Sequence, residues 1–478
     1  MGLNKELKNG ILISAIGKYS YYIVQFVVLA ILSRILKPTE FGIVSIINVI
    51  IIFFQMLIDM GIGPAIIQNK TLKNNQINSI FSFTILLSIA LSILFALLSG
   101  PIAIFYNSNQ LIGVCLVMSI ALLTSGLNMV PQSILLKQKK FLKMNIAQVT
   151  SSIVSGIVGI ILATCQFSYY ALVISAILKN LIMLAIIFKQ TNLRVTKNIR
   201  LVDLKPIYAF SKNQFLFNLI NYFSRNLDNI LIGKFMTLKD LSYYDRAYTL
   251  SLYPNQILTN VITPVIQPVM SEYESQKDII KRTYLGITKI LAFIGMPLSV
   301  FLFFSSKEII YILFGSQWTG SVLTLQILSL SIWIQMILSS TGSIFQSVNR
   351  TDLLLLSGVL STILNIIGIV VGVFTGKIEY VALMLVFSFS INFIQCNYLL
   401  MVKIFKTKQK EFYIVLLHPL IISSMIIASI LIVEYFLESY SLYLLLIIKG
   451  VISIIMFVLG MKITGNVNLL YKFFKREG

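Results

Sequence analysis

The sequence predicts an all-α integral membrane protein. About 14 transmembrane helices form two pseudo-symmetric, parallel six-helix lobes followed by two C-terminal helices. Three observations predict it. Hydrophobic residues make up 57% of the 478 and charged residues only 12%, with a mean hydropathy of +0.89, whereas a soluble domain carries about 25% charged residues. The apolar residues fall in runs near the roughly 20 residues that one helical crossing needs. One half of the chain also repeats the other at a shift of 200 residues that grows to about 210.

The runs begin near Ile11, Gly42, Ser79, Leu111, Ile146, Tyr169, Ile207, Tyr243, Ile287, Val322, Leu353, Tyr380, Phe412 and Tyr440. None alternates apolar with polar residues as a barrel strand does, so helices are the spanning form. The first segment, after MGLNKELKNG, is long and has no small-residue cleavage site, which predicts an uncleaved first helix.

The formal charge is +21. Lys and Arg gather in alternate connections. Lys70 and Lys73 follow the second run, Lys137 to Lys143 the fourth, Lys189 to Lys205 the sixth and Lys403 to Lys410 the twelfth, and Lys472 to Arg476 end the chain. Asn107 to Gln110, Gln166 to Ser168 and Glu434 to Ser439 have none. This bias predicts a multi-pass protein of the cytoplasmic membrane with both termini in the cytoplasm.

At a shift of 200, SRILKPTEFG (Ser33–Gly42) falls on GKFMTLKDLS (Gly233–Ser242), and Pro64 meets Pro264. Further on, Gly159 meets Gly368, and YYAL (Tyr169–Leu172) meets YVAL (Tyr380–Leu383). Six helices per copy is an even number, so the copies are parallel. The predicted domains are a six-helix lobe (1–190), a basic inter-lobe loop (191–206), a second six-helix lobe (207–405), and two additional helices with a basic tail (406–478).

Polar residues occupy four of the runs. Ser211, Gln214, Asn218, Asn221, Arg225 and Asp228 share one helical face of the seventh. The first carries Ser14, Lys18, Tyr21 and Gln25, the second Ser45, Asn48, Gln55 and Asp59, and the eighth Asp245, Tyr248, Asn255 and Thr259. A charge facing lipid costs about 2.5–3.5 kcal/mol on insertion scales, so these faces are expected to line a wet, mostly positive chamber between the lobes. The competing reading is that Arg225 and Asp228 pair and act as helix glue. Lys179 and Lys449 lie on runs without such a stripe and are expected to snorkel or pair.

Catalytic patterns are absent: there is no HExxH, Walker A or GxSxG motif, and no large external loop to hold reactive groups. No basic stripe with interleaved aromatics suggests nucleic acid. Cys115, Cys165 and Cys396 are far apart and show neither a disulfide framework nor a metal site. His418 reads as a polar residue at a helix end.

The stretches SRILKPTEFGIVSIINVIIIFFQMLIDMGIGPAIIQ (Ser33–Gln68), NQFLFNLINYFSRNLDNILIGKF (Asn213–Phe235) and YYDRAYTLSLYPNQILTNVITPVIQPVMSEY (Tyr243–Tyr273) resemble the Wzx-type polysaccharide flippases. Within that group they resemble the O-antigen, colanic-acid and teichuronic-acid exporters. The group lies within the superfamily of multidrug, oligosaccharidyl-lipid and polysaccharide exporters that includes the lipid II flippase. The resemblance implies a secondary transporter, not an enzyme, with a cationic central cavity. Its substrate would be an oligosaccharide repeat unit on undecaprenyl diphosphate, moved to the outer leaflet. The last two helices would form a groove for the lipid tail. Partners implied are the bilayer and a polysaccharide polymerase with chain-length machinery. A monomer without cofactor is expected, with H+ or Na+ coupling left open.

The striped residues suit that substrate chemically. Lys18 and Arg225 would meet the phosphates. Asn48, Gln25, Gln55, Asn218, Asn221 and Asn255 offer amides to sugar hydroxyls. Tyr21, Tyr222 and Tyr248 would stack on sugar faces, and Asp59, Asp228 and Asp245 would orient the cations or hold a coupling ion. The alternatives are a multidrug or organic-ion exporter, which a cationic lining disfavours, and, in another class, a membrane glycan polymerase or ligase.

Overall fold

The computed structural model describes residues 2–69, 71–197, 200–437 and 440–467, and every regular element among them is helical. The first part of the chain forms α1 (Gly2–Ile35), α2 (Pro38–Asp59), α3 (Ile62–Gln68), α4 (Asn74–Leu97), α5 (Ser99–Phe105), α6 (Gln110–Lys137), α7 (Phe141–Thr164) and α8 (Tyr170–Phe188). The rest forms α9 (Lys205–Phe235), α10 (Leu238–Ser271), α11 (Lys277–Phe304), α12 (Ser306–Leu313), α13 (Gly320–Ser329), α14 (Ile332–Ser347), α15 (Thr351–Phe374), α16 (Ile378–Tyr398), α17 (Gln409–Leu437) and α18 (Leu442–Ile463).

Eleven of these helices are long and apolar enough to cross a membrane, or twelve if α13 and α14, bent by 51°, make one span. They keep large apolar side chains on the outside, as a lipid-facing surface requires: Leu355, Ile367 and Phe374 on α15, and Tyr435 and Phe436 on α17, are exposed. α9 and α10 have 31 and 34 residues, ample length for a crossing. Their amides and charges keep them out of the apolar count.

The chain divides into two compact units, Met1–Ser242 and Tyr243–Gly478. In the first, α1 packs on α7, α7 on α8, α8 on α6, and α6 on α2, α3 and α4. α9, the first helix of the second repeat, packs in this unit against α2 and α3, and its Ile207 joins the core around Ile66, Ile80 and Val130. In the second unit α11 packs against α13, α14 and α17, α15 against α16, and α17 against α18. Its core gathers Tyr284, Phe393, Phe405 and Phe412, and the Tyr284 hydroxyl donates to Asn397 Oδ1 at 2.6 Å.

The repeat recurs in the backbone. α1 ends at Ile35 and α9 at Phe235, while α2 starts at Pro38 and α10 at Leu238, so the shift of 200 holds across the turn. The caps match as well: Glu40 accepts from Lys37 N–H at 2.6 Å and Asp240 from Thr237 N–H at 3.3 Å, each reaching back three residues. α6 ends at Lys137 and α14 at Ser347, and α7 and α15 span Phe141–Thr164 and Thr351–Phe374, a shift of 210. The intervening turns carry the same left-handed residue, Lys139 (φ 56°) and Asn349 (φ 53°). Lys140 N–H closes on Leu135 O at 2.9 Å, as Arg350 N–H does on Phe345 O at 3.0 Å. Gly159 and Gly368 each let a serine of the next helix approach closely, Ser175 and Ser388.

One expectation shifts, and one asymmetry between the copies emerges. His418 is the tenth residue of α17 rather than a helix end, because the helix already begins at Gln409; its Nδ1 lies 3.1 Å from Asn466 Nδ2. The second copy also lacks a break that the first has. α2 stops at Met60 (φ 42°) and Gly61 (φ 73°), whereas α10 runs on to Ser271.

Candidate functional site

Sequence places the polar faces on α1, α2, α9 and α10. On α2 the structure divides them. Ser45 is in the core and Asn48 is exposed. Half-buried Gln55 donates from Nε2 to Ser125 Oγ of α6 at 2.9 Å. Asp59, also half-buried, accepts from Gly63 N–H at 3.1 Å. That bond caps α3 just past the left-handed break, where Gly61 supplies a positive φ that other residues rarely adopt.

α9 lies along α2 with its stripe flanking the contact line. Ser211 and Gln214 sit against Gly61: a Cβ there would come within 2.7 Å of the Gln214 side chain and 2.9 Å of Ser211 O. Gln214 Nε2 donates to Asn218 Oδ1 at 2.9 Å. Tyr222 is buried. Its hydroxyl donates to Val49 O at 3.0 Å and its ring lies 5.3 Å from that of Phe53. Asn221 is half-buried, Arg225 is exposed, and Asp228 is buried, accepting from Asn229 N–H at 2.8 Å.

On α1, Lys18 is exposed, while Tyr21 and Gln25 are half-buried. Tyr21 is reached from α8 by Lys179, whose Nζ donates to its hydroxyl oxygen at 2.9 Å and stands 5.0 Å above its ring.

In the second unit, half-buried Asp245 lies 3.7 Å from Arg246 Nη2. The Arg246 guanidinium stands 6.0 Å from the ring centre of fully buried Trp318. Tyr248 is half-buried and stacks on Tyr244 at 5.7 Å and 10°. Asn255 Oδ1 is enclosed and finds no hydrogen-bond partner among the described residues. Tyr243 ties the start of α10 to the turn before α13, donating to Gln317 O at 2.9 Å and accepting from Ser321 Oγ at 2.9 Å.

Three contributors were missed by the striping argument: Lys179, Arg246 and Ser125. Lys179 has only Asn180 and Ser175 as polar company on its apolar helix, Ser125 is one of several small polar residues of α6, and Arg246 was overshadowed by its neighbour Asp245. The signal for Lys179 was its depth, midway along a 19-residue apolar helix. Among the described residues no group of three His, Cys, Asp or Glu side chains has the geometry to hold a metal ion.

The model of the family described as polysaccharide biosynthesis protein matches residues 31–323. The chain belongs to this family. Among relatives of this polysaccharide biosynthesis protein, the teichuronic acid biosynthesis protein TuaB of Bacillus subtilis is 26% identical over 404 residues, 83% of each chain. The lipopolysaccharide biosynthesis protein WzxC of Escherichia coli is 22% identical, over 78% of this chain and 76% of its own. A solved structure of the lipid II flippase MurJ, in an inward closed conformation, aligns with a TM-score of 0.74 at 16% identity, covering 95% of this chain and 98% of its own. An inward-facing multidrug resistance MATE family transporter aligns at 0.59 and 14%, covering 78% and 92%. These likenesses establish the fold: the polysaccharide biosynthesis protein is a multi-pass, all-helical membrane protein with the architecture of those transporters.

Proposed function

We propose that this polysaccharide biosynthesis protein is a flippase. It carries oligosaccharide repeat units linked to undecaprenyl diphosphate from the cytoplasmic to the outer leaflet by alternating access, for surface polysaccharide assembly. A diphosphate-sugar headgroup cannot cross hydrocarbon unaided, and a polar, cationic path lowers that barrier. The observation that carries the reading is α9: a crossing-length helix with an exposed Arg225 and amides at Asn218 and Asn221 on the same face. The names of the relatives point the same way.

In this proposal two six-helix lobes are followed by α17 and α18, giving fourteen crossings with both termini in the cytoplasm. Lys18 and Arg225 meet phosphate, and the amides of Gln25, Asn48, Gln55, Asn218, Asn221 and Asn255 meet sugar. Tyr21 and Tyr248 present rings to sugar, while Tyr222, buried with its hydroxyl on Val49 O, serves the packing of α9 on α2 instead, and Asp59, Asp228 and Asp245 orient the cations or hold H+ or Na+. An apolar hollow of about 340 Å³ between α11, α14 and α17, lined by Val300, Phe303, Trp333 and Leu420, suits part of a prenyl tail. The bilayer and a polymerase with its chain-length machinery are its partners, and the working unit is a monomer.

Arg225→Ala tests the reading in cells whose own gene is deleted. The expected outcome is loss of surface polysaccharide, with lipid-linked single repeats accumulating inside and protein levels near normal. Loss of folded protein would return Arg225 to a structural role, and unpolymerised repeats displayed outside would mark a polymerase instead.

A further inference from the structure

Lys179 is the tenth of the 19 residues of α8. A lysine at that depth costs about 2.5–3.5 kcal/mol on insertion scales, so its position demands a partner. The partner found is neutral. Nζ donates to the Tyr21 hydroxyl at 2.9 Å and stands 5.0 Å above the ring, which solvates the ammonium through a dipole and a ring face but leaves its charge uncancelled. Among the described residues neither Lys179 nor Lys18 forms an ion pair. The buried lysine of α18 differs: Lys449 meets Glu308 at 2.7 Å and Glu434 at 2.8 Å. One lysine is neutralised by the protein, and the other is held by a neutral partner with no ion pair among the described residues.

We propose that Lys179 and Tyr21, with Lys18 one turn earlier on α1, receive the phosphate of the lipid-linked substrate. The assignment rests on the flippase reading and adds to it a contact on α8. The donor count fits. An ammonium has three N–H groups, of which Tyr21 takes one. Because the Tyr21 oxygen accepts that bond, its own O–H remains to donate. The pair therefore offers two N–H groups and one O–H from two helices, fixed relative to each other by an existing bond. Hydrogen bonds from an ammonium to phosphate are charge-assisted and about twice as strong as neutral ones.

The test is binding by the purified full-length protein, with undecaprenyl diphosphate, undecaprenol and inorganic pyrophosphate as ligands. Wild type is expected to prefer undecaprenyl diphosphate to undecaprenol. Lys179→Met should weaken the diphosphate lipid by about 10- to 100-fold, the range for a hydrogen bond to a charged group. Lys179→Gln keeps a donor for Tyr21 but removes the charge. It should lose a similar factor while melting like wild type, and Lys179→Arg should retain most of the affinity. Undecaprenol binding should be the same in all variants.

Variants that bind the diphosphate lipid as wild type does would overturn the assignment and leave the flippase reading standing. A wild type that does not distinguish the two lipids would overturn both. Inorganic pyrophosphate binding as tightly as the lipid would make the anion a soluble one and overturn the lipid assignment.

Discussion

Lys449 shows what a single residue does when its charge is buried and paired. Its Nζ donates to Glu308 Oε1 at 2.7 Å, Glu434 Oε1 at 2.8 Å and Phe304 O at 2.7 Å, which ties α18 to α12, to α17 and to the end of α11. Removing one partner of such a cluster leaves uncompensated charge and costs about 3–5 kcal/mol. Lys449→Met should therefore lower the melting temperature of the purified protein sharply. Lys449→Met combined with Glu308→Gln should recover part of the loss, because the enclosed carboxylate goes with the lysine. Equal melting of the single variant and wild type would show that the cluster contributes nothing. The sequence left Lys449, on an apolar run without a stripe, to snorkel or to pair, and the structure shows the pairing. The identity of its partners was not legible, since Glu308 is 141 residues away and only the packing of α12 on α18 brings it there. Tyr21 and Lys179 are alike in this, joined across 158 residues of chain.

At the scale of the element, the helix-to-helix turns carry the most information. The turn after α1 and its copy after α9 agree to the residue because each rests on a local cap, Glu40 or Asp240, which sequence periodicity records well. Breaks inside apolar runs were not read from the sequence although residues mark them: α4 gives way to α5 at Leu98, just before Ser99, Gly100 and Pro101, and α11 to α12 at Ser305, just before Ser306, Lys307 and Glu308. Close packing at the start of α2 is hidden in a single glycine. A Cβ on Gly42 would fall 2.0 Å from Leu238 O and 2.7 Å from its carbonyl carbon, so the backbone itself would have to move. Overpacking of this kind costs about 1–3 kcal/mol. Gly42→Ala should reduce the melting temperature, while Gly100→Ala, which meets nothing within 4 Å, should not. Equal behaviour of the two variants would contradict the packing described.

For the molecule as a whole, composition was enough for class. With 12% charged residues the chain cannot cover a soluble surface, and the repeat at 200 to 210 residues gave the internal symmetry. The polar faces of α9 and α10 were legible too, although those faces keep both helices below the apolar threshold of a membrane span. What each polar side chain does was less so: Gln55, Asp59 and Tyr222 make bonds that hold the first unit together, and only a folded chain reveals that. A consequence of the proposed cargo belongs at this scale. With about two negative charges on the diphosphate, an inside-negative potential favours outward movement by about 4–5 kcal/mol per 100 mV. Export in reconstituted vesicles should quicken as the potential is raised, and rates independent of potential would remove voltage as a driving force.

The most direct measurement is transbilayer movement of an undecaprenyl-diphosphate-linked oligosaccharide in vesicles whose only protein is this chain. Movement well above that in protein-free vesicles, and lost with Arg225→Ala, is the predicted result. Wild-type vesicles no faster than protein-free ones, with the protein folded and correctly inserted, would contradict it.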